Sequence, residues 1–501
     1  MIELDGQSLS IEQVQAIAAG ARVGLAPAAV ERMDASRAVI DHMAAGDTAV
    51  YAVNTGVGLL ADVRIPRADL EQLQRNVVRS HAAGAGDPLP APVVRAMMAI
   101  RANVLAMGFS GIRPIVAQML CDLLNREVTP VVPSQGSAGA SGDLAPLAHM
   151  ALVLIGEGEA EFRGTRCSGA EALRLAELAP LDLHAKEGIS LVNGTQAMLA
   201  IGCLELLAAD TLVLTADTVC AMTVDALRGT PRAFDAKIHA VRPHSGQQRS
   251  AEILERLLEG SQVRQSHAGC GRVQDAYSLR CAPQVHGAVR DSLVEARRVF
   301  AIELNSATDN PLVFGDEVYS GGNFHGQPLA LQLDYLAIAL SSLAGISERR
   351  IDRLVNPLLN EGLPAFLAHN PGLESGLMMA QVTAAALVAE NRVLAHPASA
   401  GSITTSGNKE DFVSMGMTSA LKLMQAARNT RAVIAIEAMA AARALDCLAP
   451  LRTSEVLEES KQRIREVSPR LDQDRVLAQD IAAITKLIES GALRPDHLQP
   501  A

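Results

Sequence analysis

A mainly α fold is predicted, and three features of the sequence predict it. Apolar residues recur at helical spacing over unusually long runs: Val285 to Ser306, Gln327 to Arg353 and Phe412 to about Leu445. Runs with strand-like character are few and short. The composition is 49% apolar but only 2% aromatic and 20% charged, and Ala and Leu dominate it. That balance suits a large, well-buried protein whose long helices pack parallel and antiparallel as a bundle.

The elements follow in order. Ser10-Ile11-Glu12-Gln13 reads as a capping box opening a first helix that ends near Gly20. A second helix is expected from Ala28 to Ala45. Residues 49 to 53 read as a short extended segment, followed by a turn over Asn54 to Gly58. Asp69 to Ser80 is amphipathic, with Leu70, Leu73 and Val77 on one face. Helices are expected at Pro90 to Met107 and Pro114 to Asn125, and from Leu144 to about Leu154 with Ser141 or Asp143 as its cap. Glu159 to Cys167, centred on Arg163-Gly164-Thr165, reads as a small hairpin. A long apolar helix follows at about Ala197 to Leu227. Residues 259 to 276 read as a long polar loop, a length uncommon without a function. A helix at Ala380 to Leu394, a Ser/Thr/Gly-rich stretch from His396 to Asp411, and polar helices over the last fifty residues complete the chain. Boundaries are expected at 1–195, 196–445 and 446–501.

Several function classes are disfavoured. A net charge of -11 argues against a general nucleic-acid or anionic-membrane binder. Met1 to Asp5 carries acids and lacks the basic and apolar regions of a signal peptide. The longest apolar runs, such as Ala197 to Leu207, read as too short to span a membrane. Seven scattered cysteines without a Cys-x-x-Cys pair suggest reduced thiols in a cytoplasm. The twelve histidines form no His-Glu-x-x-His and no cluster with metal-ligand spacing, so no metal is expected.

The most informative stretch is Thr129 to Met150. Gly136, Gly139 and Gly142 recur every third residue in a loop of small residues that runs straight into an apolar helix. Small residues let neighbouring peptide units approach closely. A capping loop is the plain reading. A phosphate cradle is disfavoured, because no Lys follows as in a Walker motif and no Rossmann strand precedes. Other residues have equally plain readings. Tyr51 suits a half-buried strand aromatic, His81 a helix C-terminal dipole partner and Asn193 a helix cap. Gln274, Tyr277 and Arg280 fall at i, i+3 and i+6 of a possible helical turn. Phe324 suits a core, and Glu410 a solvated loop acid.

Ala140-Ser141-Gly142 followed by Asp143-Leu144-Ala145-Pro146-Leu147-Ala148-His149 resembles the signature of the ammonia-lyases and aminomutases acting on histidine and aromatic amino acids. Further motifs from Tyr51 to about Ser414 match in order. The resemblance implies a long helical bundle of the aspartase/ammonia-lyase type, with a smaller N-terminal region carrying the loop and short β-hairpins. It implies that Ala140, Ser141 and Gly142 cyclise, losing two waters, to a 4-methylidene-imidazol-5-one (MIO) electrophile. Gly142 offers a nitrogen with no side chain in the way, and Ser141 supplies the hydroxyl that leaves.

Role by role, the resemblance makes Tyr51 the catalytic base or acid. It sets Asn193 beside the MIO and Tyr277 and Gln274 along the site. It gives Arg280 the substrate carboxylate, for which a guanidinium fork is suited, and packs Phe324 near the electrophile. Ser80-His81-Ala82-Ala83-Gly84 and Glu410 are the forms of histidine-specific members, so His81 and Glu410 would read an imidazole. Val57 and Phe412 depart from the usual pattern. The implied reaction is elimination of ammonia from L-histidine to trans-urocanate, the first step of histidine degradation. A tyrosine or phenylalanine ammonia-lyase or aminomutase is the alternative, and a non-enzymatic helical assembly protein is a more distant one. The implied partners are a small amino acid and three further copies of the chain, a homotetramer whose sites are shared between subunits.

Overall fold

The computed structural model describes residues 1–269 and 271–495. Contacts group the chain into two compact units. One comprises Met1–Glu205, Arg297–Asp334 and Pro397–Leu421. The other comprises Leu206–Ala296, Tyr335–His396 and the chain from Lys422 on.

The first unit begins with β1 (Ile2–Leu4), which pairs in parallel with β2 (Val23–Leu25) around α1 (Ile11–Ala18). The capping box at Ser10 is formed: its hydroxyl accepts from the Gln13 N–H, and the Gln13 side chain accepts from the Ser10 N–H. Then come α2 (Pro27–Ala45), α3 (Leu70–His81), β3 (Ala85–Pro88), α4 (Ala91–Ala106) and α5 (Pro114–Asn125). α2, α4 and α5 each carry a proline at the first or second position, where a missing N–H costs nothing. β4 (Val128–Pro130) and β5 (Pro133–Gln135) lead to α6 (Leu144–Leu154). The hairpin predicted at Glu159 to Cys167 is present as β6 (Glu159–Phe162) and β7 (Thr165–Ser168). β4 adds a third strand to it, in the order β4-β6-β7. α7 (Gly169–Leu175) and the short α8 (Glu187–Val192) precede α9 (Gln196–Ala226).

The remaining helices are α10 (Ala236–Ala240), α11 (Ser245–Leu257), α12 (Gln262–Ser266), α13 (Tyr277–Arg280), α14 (Ala282–Leu304), α15 (Gln327–Val355), α16 (Met378–Leu394), α17 (Gly416–Asp446), α18 (Glu455–Val467) and α19 (Leu477–Glu489). β8 (Leu312–Phe314) and β9 (Glu317–Tyr319) form a hairpin between α14 and α15. The fold is mainly α, as expected.

Four local expectations are corrected. Residues 51 to 54 form a turn rather than a strand, because Ala52 sits at φ +56° and breaks any extended run. The polar loop of 259 to 276 contains the helical turn α12, capped by the Ser261 hydroxyl. The last long helix starts at Gly416 and not at Phe412. Met415 at φ +55° interrupts the helical path, and the Ser414 hydroxyl accepts from the Gly416 N–H. Finally, α9 and α15 are long and apolar enough to cross a membrane by length and composition. The most apolar window of each is 61% and 56% buried within the protein, which is the behaviour of core helices.

Candidate active site

The site is built on the loop from Gly136 to Asp143. β3 and β5 pair antiparallel, Ala85 opposite Gln135, which brings the C-terminal end of α3 to the loop's entrance. The Gly84 N–H donates to His149 Nε2 at 3.0 Å, so His149 is neutral with its proton on Nδ1. Burial lowers its pKa in the same direction.

Within the loop the chain is pinched. Gly139 and Gly142 bridge each other, and Ser141 between them holds φ +51°. Gly142 in turn bridges Gly194: the Asp143 N–H donates to Gly194 O at 2.7 Å and the Gly194 N–H to Ser141 O at 3.2 Å. A Cβ on Gly142 would lie 2.1 Å from Gly194 O, so no other residue fits. On the opposite side the Met415 N–H donates to Ala138 O at 2.9 Å, and a Cβ on Gly139 would meet Ser414 Oγ at 2.2 Å. The turn is thus gripped from two directions. The tight turn presents an unhindered nitrogen at 142 and a hydroxyl at 141, the groups that closure to an imidazolone ring requires.

Ser141 or Asp143 was expected to cap α6, and neither side chain does. Asp143 stands at the N-cap position, but its carboxylate makes no bond there. Instead Oδ2 accepts from the Met198 N–H, in the first turn of α9, at 2.9 Å, and Oδ1 from the Ser137 hydroxyl at 3.3 Å. Fully buried, the carboxyl is pushed up to about 7, against those hydrogen bonds, which favour its charge. The cap crosses to another helix because α9 starts beside the loop.

Glu410 faces the tripeptide. The Ser141 hydroxyl lies 3.4 Å from Glu410 Oε1, and the Thr405 hydroxyl donates to Oε2 at 2.8 Å. Glu410 is held by its own bridge to Thr405. The Tyr51 turn packs nearby: Gly58 approaches Ser406, Gly407 approaches Leu59, and the Gly58 N–H points at the Tyr51 hydroxyl at 3.4 Å. His81 ends α3. Its Nδ1 is 2.7 Å from Val77 O, and a carbonyl only accepts, so Nδ1 carries a proton.

Asn193 caps the C-terminus of α8. Its side-chain amide donates to Asn310 O at 3.1 Å and lies 3.4 Å from Asp309 Oδ1. Its Oδ1 is buried and unpartnered among the described residues. Phe324 is half-buried in the segment before Gly326, whose Cβ would meet Met198 Sδ at 2.7 Å. The neighbouring His325 ring stacks on Phe412, centroids 6.1 Å apart, and its Nε2 is 3.2 Å from Phe412 O.

Gln274, Tyr277 and Arg280 belong to the second unit. Only Tyr277 and Arg280 share a helical turn, because α13 begins at Tyr277 and Gln274 precedes it. The Arg280 guanidinium sits over the Tyr277 ring, 4.5 Å from its centroid. Tyr277 is exposed, and Arg280 Nε is buried and unpartnered among the described residues.

A buried charged frame behind Asn193 was not anticipated. Lys186 Nζ donates to Ser190 Oγ at 2.8 Å and to Asp309 Oδ2 at 3.1 Å. Arg101 Nη1 donates to Asn193 O at 2.8 Å and Gln196 Oε1 at 3.1 Å. All three charged groups are fully buried or nearly so. Burial lowers Arg101 to about 10 and lowers Lys186. The available signal was a lone arginine inside the apolar run Ala96 to Ala106.

A family model for aromatic amino acid lyases matches residues 9–466. The histidine ammonia-lyase of Koribacter versatilis (strain Ellin345) is 59% identical, with 98% of each chain covered. Among solved structures, histidine ammonia-lyase from Trypanosoma cruzi is 44% identical with a TM-score of 0.92, covering 100% of this chain and 96% of that one. Tyrosine aminomutase from Streptomyces globisporus is 38% identical with a TM-score of 0.93, covering 98% and 97%.

Proposed function

The chain belongs to the aromatic amino acid lyase family, and from that premise we propose that it eliminates ammonia from L-histidine to give trans-urocanate. The electrophile would be the MIO ring closed from Ala140, Ser141 and Gly142. The observation that supports the histidine reading best is Glu410, an acid set 3.4 Å from the Ser141 hydroxyl. The name carried by a relative 59% identical over nearly the whole chain agrees with it.

When formed, the MIO supplies what no ordinary side chain offers: an electrophilic carbon that takes up the substrate amine and makes it a better leaving group. The chain's own residues do the rest. The Tyr51 oxygen takes the β-proton, the freed Cβ–H electron pair becomes the Cα=Cβ bond in conjugation with the imidazole, and the Cα–N pair leaves with the amine. Asn193 contributes its unpartnered Oδ1 beside the tripeptide. Glu410 accepts from the imidazole N–H, and His81 contacts the same ring. Arg280 pairs with the carboxylate, and Gln274, Tyr277 and Phe324 line the site. The active form is a cytoplasmic homotetramer whose active sites are shared between copies of the chain.

Purified protein incubated separately with L-histidine, L-tyrosine and L-phenylalanine tests the substrate. A new ultraviolet absorbance with free ammonia is expected for histidine alone. A rise with tyrosine or phenylalanine instead, or formation of a β-amino acid, overturns the assignment in favour of the alternative lyases or an aminomutase. Tyr51→Phe is expected to lower kcat by roughly 10²–10⁴-fold with little change in KM, the usual worth of a positioned base. Steady-state kinetics with unchanged kcat would remove Tyr51 from that role.

A further inference from the structure

The peptide unit joining Asn193 to Gly194 is held at both ends. On one side its carbonyl accepts from Arg101 Nη1 at 2.8 Å. On the other its N–H donates to the carbonyl oxygen of Ser141 at 3.2 Å. The two bonds run in line through one peptide. A cation at the carbonyl end polarises the N–H at the other, so the hydrogen bond reaching Ser141 is strengthened.

Arg101 is a costly way to hold a carbonyl. It is completely buried, and its Nε and Nη2 have no partner among the described residues. A buried charge with unsatisfied donors is poor value for stability alone. A second arginine on the same helix gives the contrast. Arg95, also buried in α4, spends three nitrogens on the carbonyls of Ile17, Ala18 and Leu124, an ordinary structural use.

Closure of the ring needs what Arg101 supplies. The Gly142 nitrogen bonds to the Ala140 carbonyl carbon. The Ala140 oxygen departs as water with the protons of the Gly142 and Ser141 nitrogens. The Ser141 hydroxyl departs as a second water with the proton of its own Cα. When that Cα–H bond breaks, negative charge develops on the Ser141 carbonyl oxygen, the atom at the end of the relay. We propose that Arg101 is a positioning residue for formation of the electrophile, acting through the Asn193–Gly194 peptide on the Ser141 carbonyl. This rests on the reading that the tripeptide cyclises.

The test follows the tryptic peptide Glu127 to Arg163 by mass at intervals after cell-free translation of the full chain. The wild-type peptide should become lighter by two waters; if it never does, the proposed function fails and this inference falls with it, whereas the variants below test the inference alone. Arg101→Met is expected to slow that change at least tenfold, with circular dichroism and size-exclusion profiles like wild type. Arg101→Lys, which keeps a cation, should fall between them. Arg95→Met should lose thermal stability yet cyclise at the wild-type rate. Arg101→Met cyclising as fast as wild type overturns the inference, and so does equal slowing in Arg95→Met. Should Arg101→Met not fold, Arg101→Gln, which keeps a donor without the charge, decides: a wild-type rate overturns the role.

Discussion

Ser141→Ala is expected to lower kcat/KM for histidine at least about 10³-fold, equivalent to about 4 kcal/mol of lost transition-state stabilisation. Without the hydroxyl there is no second water to lose and no exocyclic methylene, so in the proposed mechanism the amine must leave unassisted while the pairing proposed for Arg280 with the carboxylate is untouched. The fold should tolerate the change. Ser141 is half-buried, its hydroxyl makes one long contact, at 3.4 Å to Glu410, and alanine meets the same strain at φ +51° that serine does. The mass of the Glu127–Arg163 peptide, the thermal midpoint and steady-state kinetics together check the prediction. Wild-type turnover in this variant would sink the tripeptide as the source of the electrophile.

What the sequence disclosed divides by range of interaction. The Ser10 capping box, the Arg163-Gly164 hairpin and the long helices rest on contacts a few residues apart, and their residue types announce them. The misreadings lie where a single backbone angle or a distant partner decides. Ala52 and Met415 carry positive φ with no glycine to signal it, so an apolar stretch read as a strand is a turn and a helix starts late. Asp143 caps α9 rather than α6, and only the fold brings Met198 to it. For the candidate site, the resemblance pointed to Ser141, Asn193 and Glu410 by chemical type. It said nothing of how they are held. Glu410 is held by Thr405, and the frame behind Asn193 is made of Arg101, Lys186 and Asp309, drawn from three separated stretches of chain; a buried charge carries no local mark of its partner.

The same economy recurs in the second unit, beneath the turn that carries Tyr277 and Arg280. Arg350 and Glu437, both fully buried, form a bidentate pair: Nε to Oε1 at 2.5 Å and Nη2 to Oε2 at 2.9 Å. The hydroxyls of Thr223 and Ser347 fill the remaining positions on the carboxylate. Arg350 Nη1 reaches His286 Nε2 at 3.3 Å and Ser278 O at 3.4 Å. His286 Nδ1 is 2.6 Å from Asp217 Oδ1. The imidazole therefore donates to the carboxylate and accepts from the guanidinium, which makes it neutral, and burial lowers its pKa in the same sense. Burial pushes Asp217 upward, but Arg290 and His286 outweigh it and keep the carboxylate charged.

Because the network is complete, removing one member is expected to cost far more than the network is worth. Arg350→Met leaves Glu437 buried and uncompensated, a loss of about 3–5 kcal/mol. It also frees the Ser278 carbonyl, so Tyr277 and Arg280 lose a support, and KM for histidine should rise in the fraction that stays folded. The double variant Arg350→Met with Glu437→Leu is expected to recover much of the stability, since no lone charge remains, but not the KM. Denaturant unfolding of wild type, Arg350→Met, Glu437→Leu and the double variant, with KM measured in parallel, separates the two effects. A single variant as stable as wild type would mean that water reaches Glu437. Recovery of KM in the double variant would mean that the ion pair, beyond its own stability, contributes nothing to the placement of the Tyr277 turn.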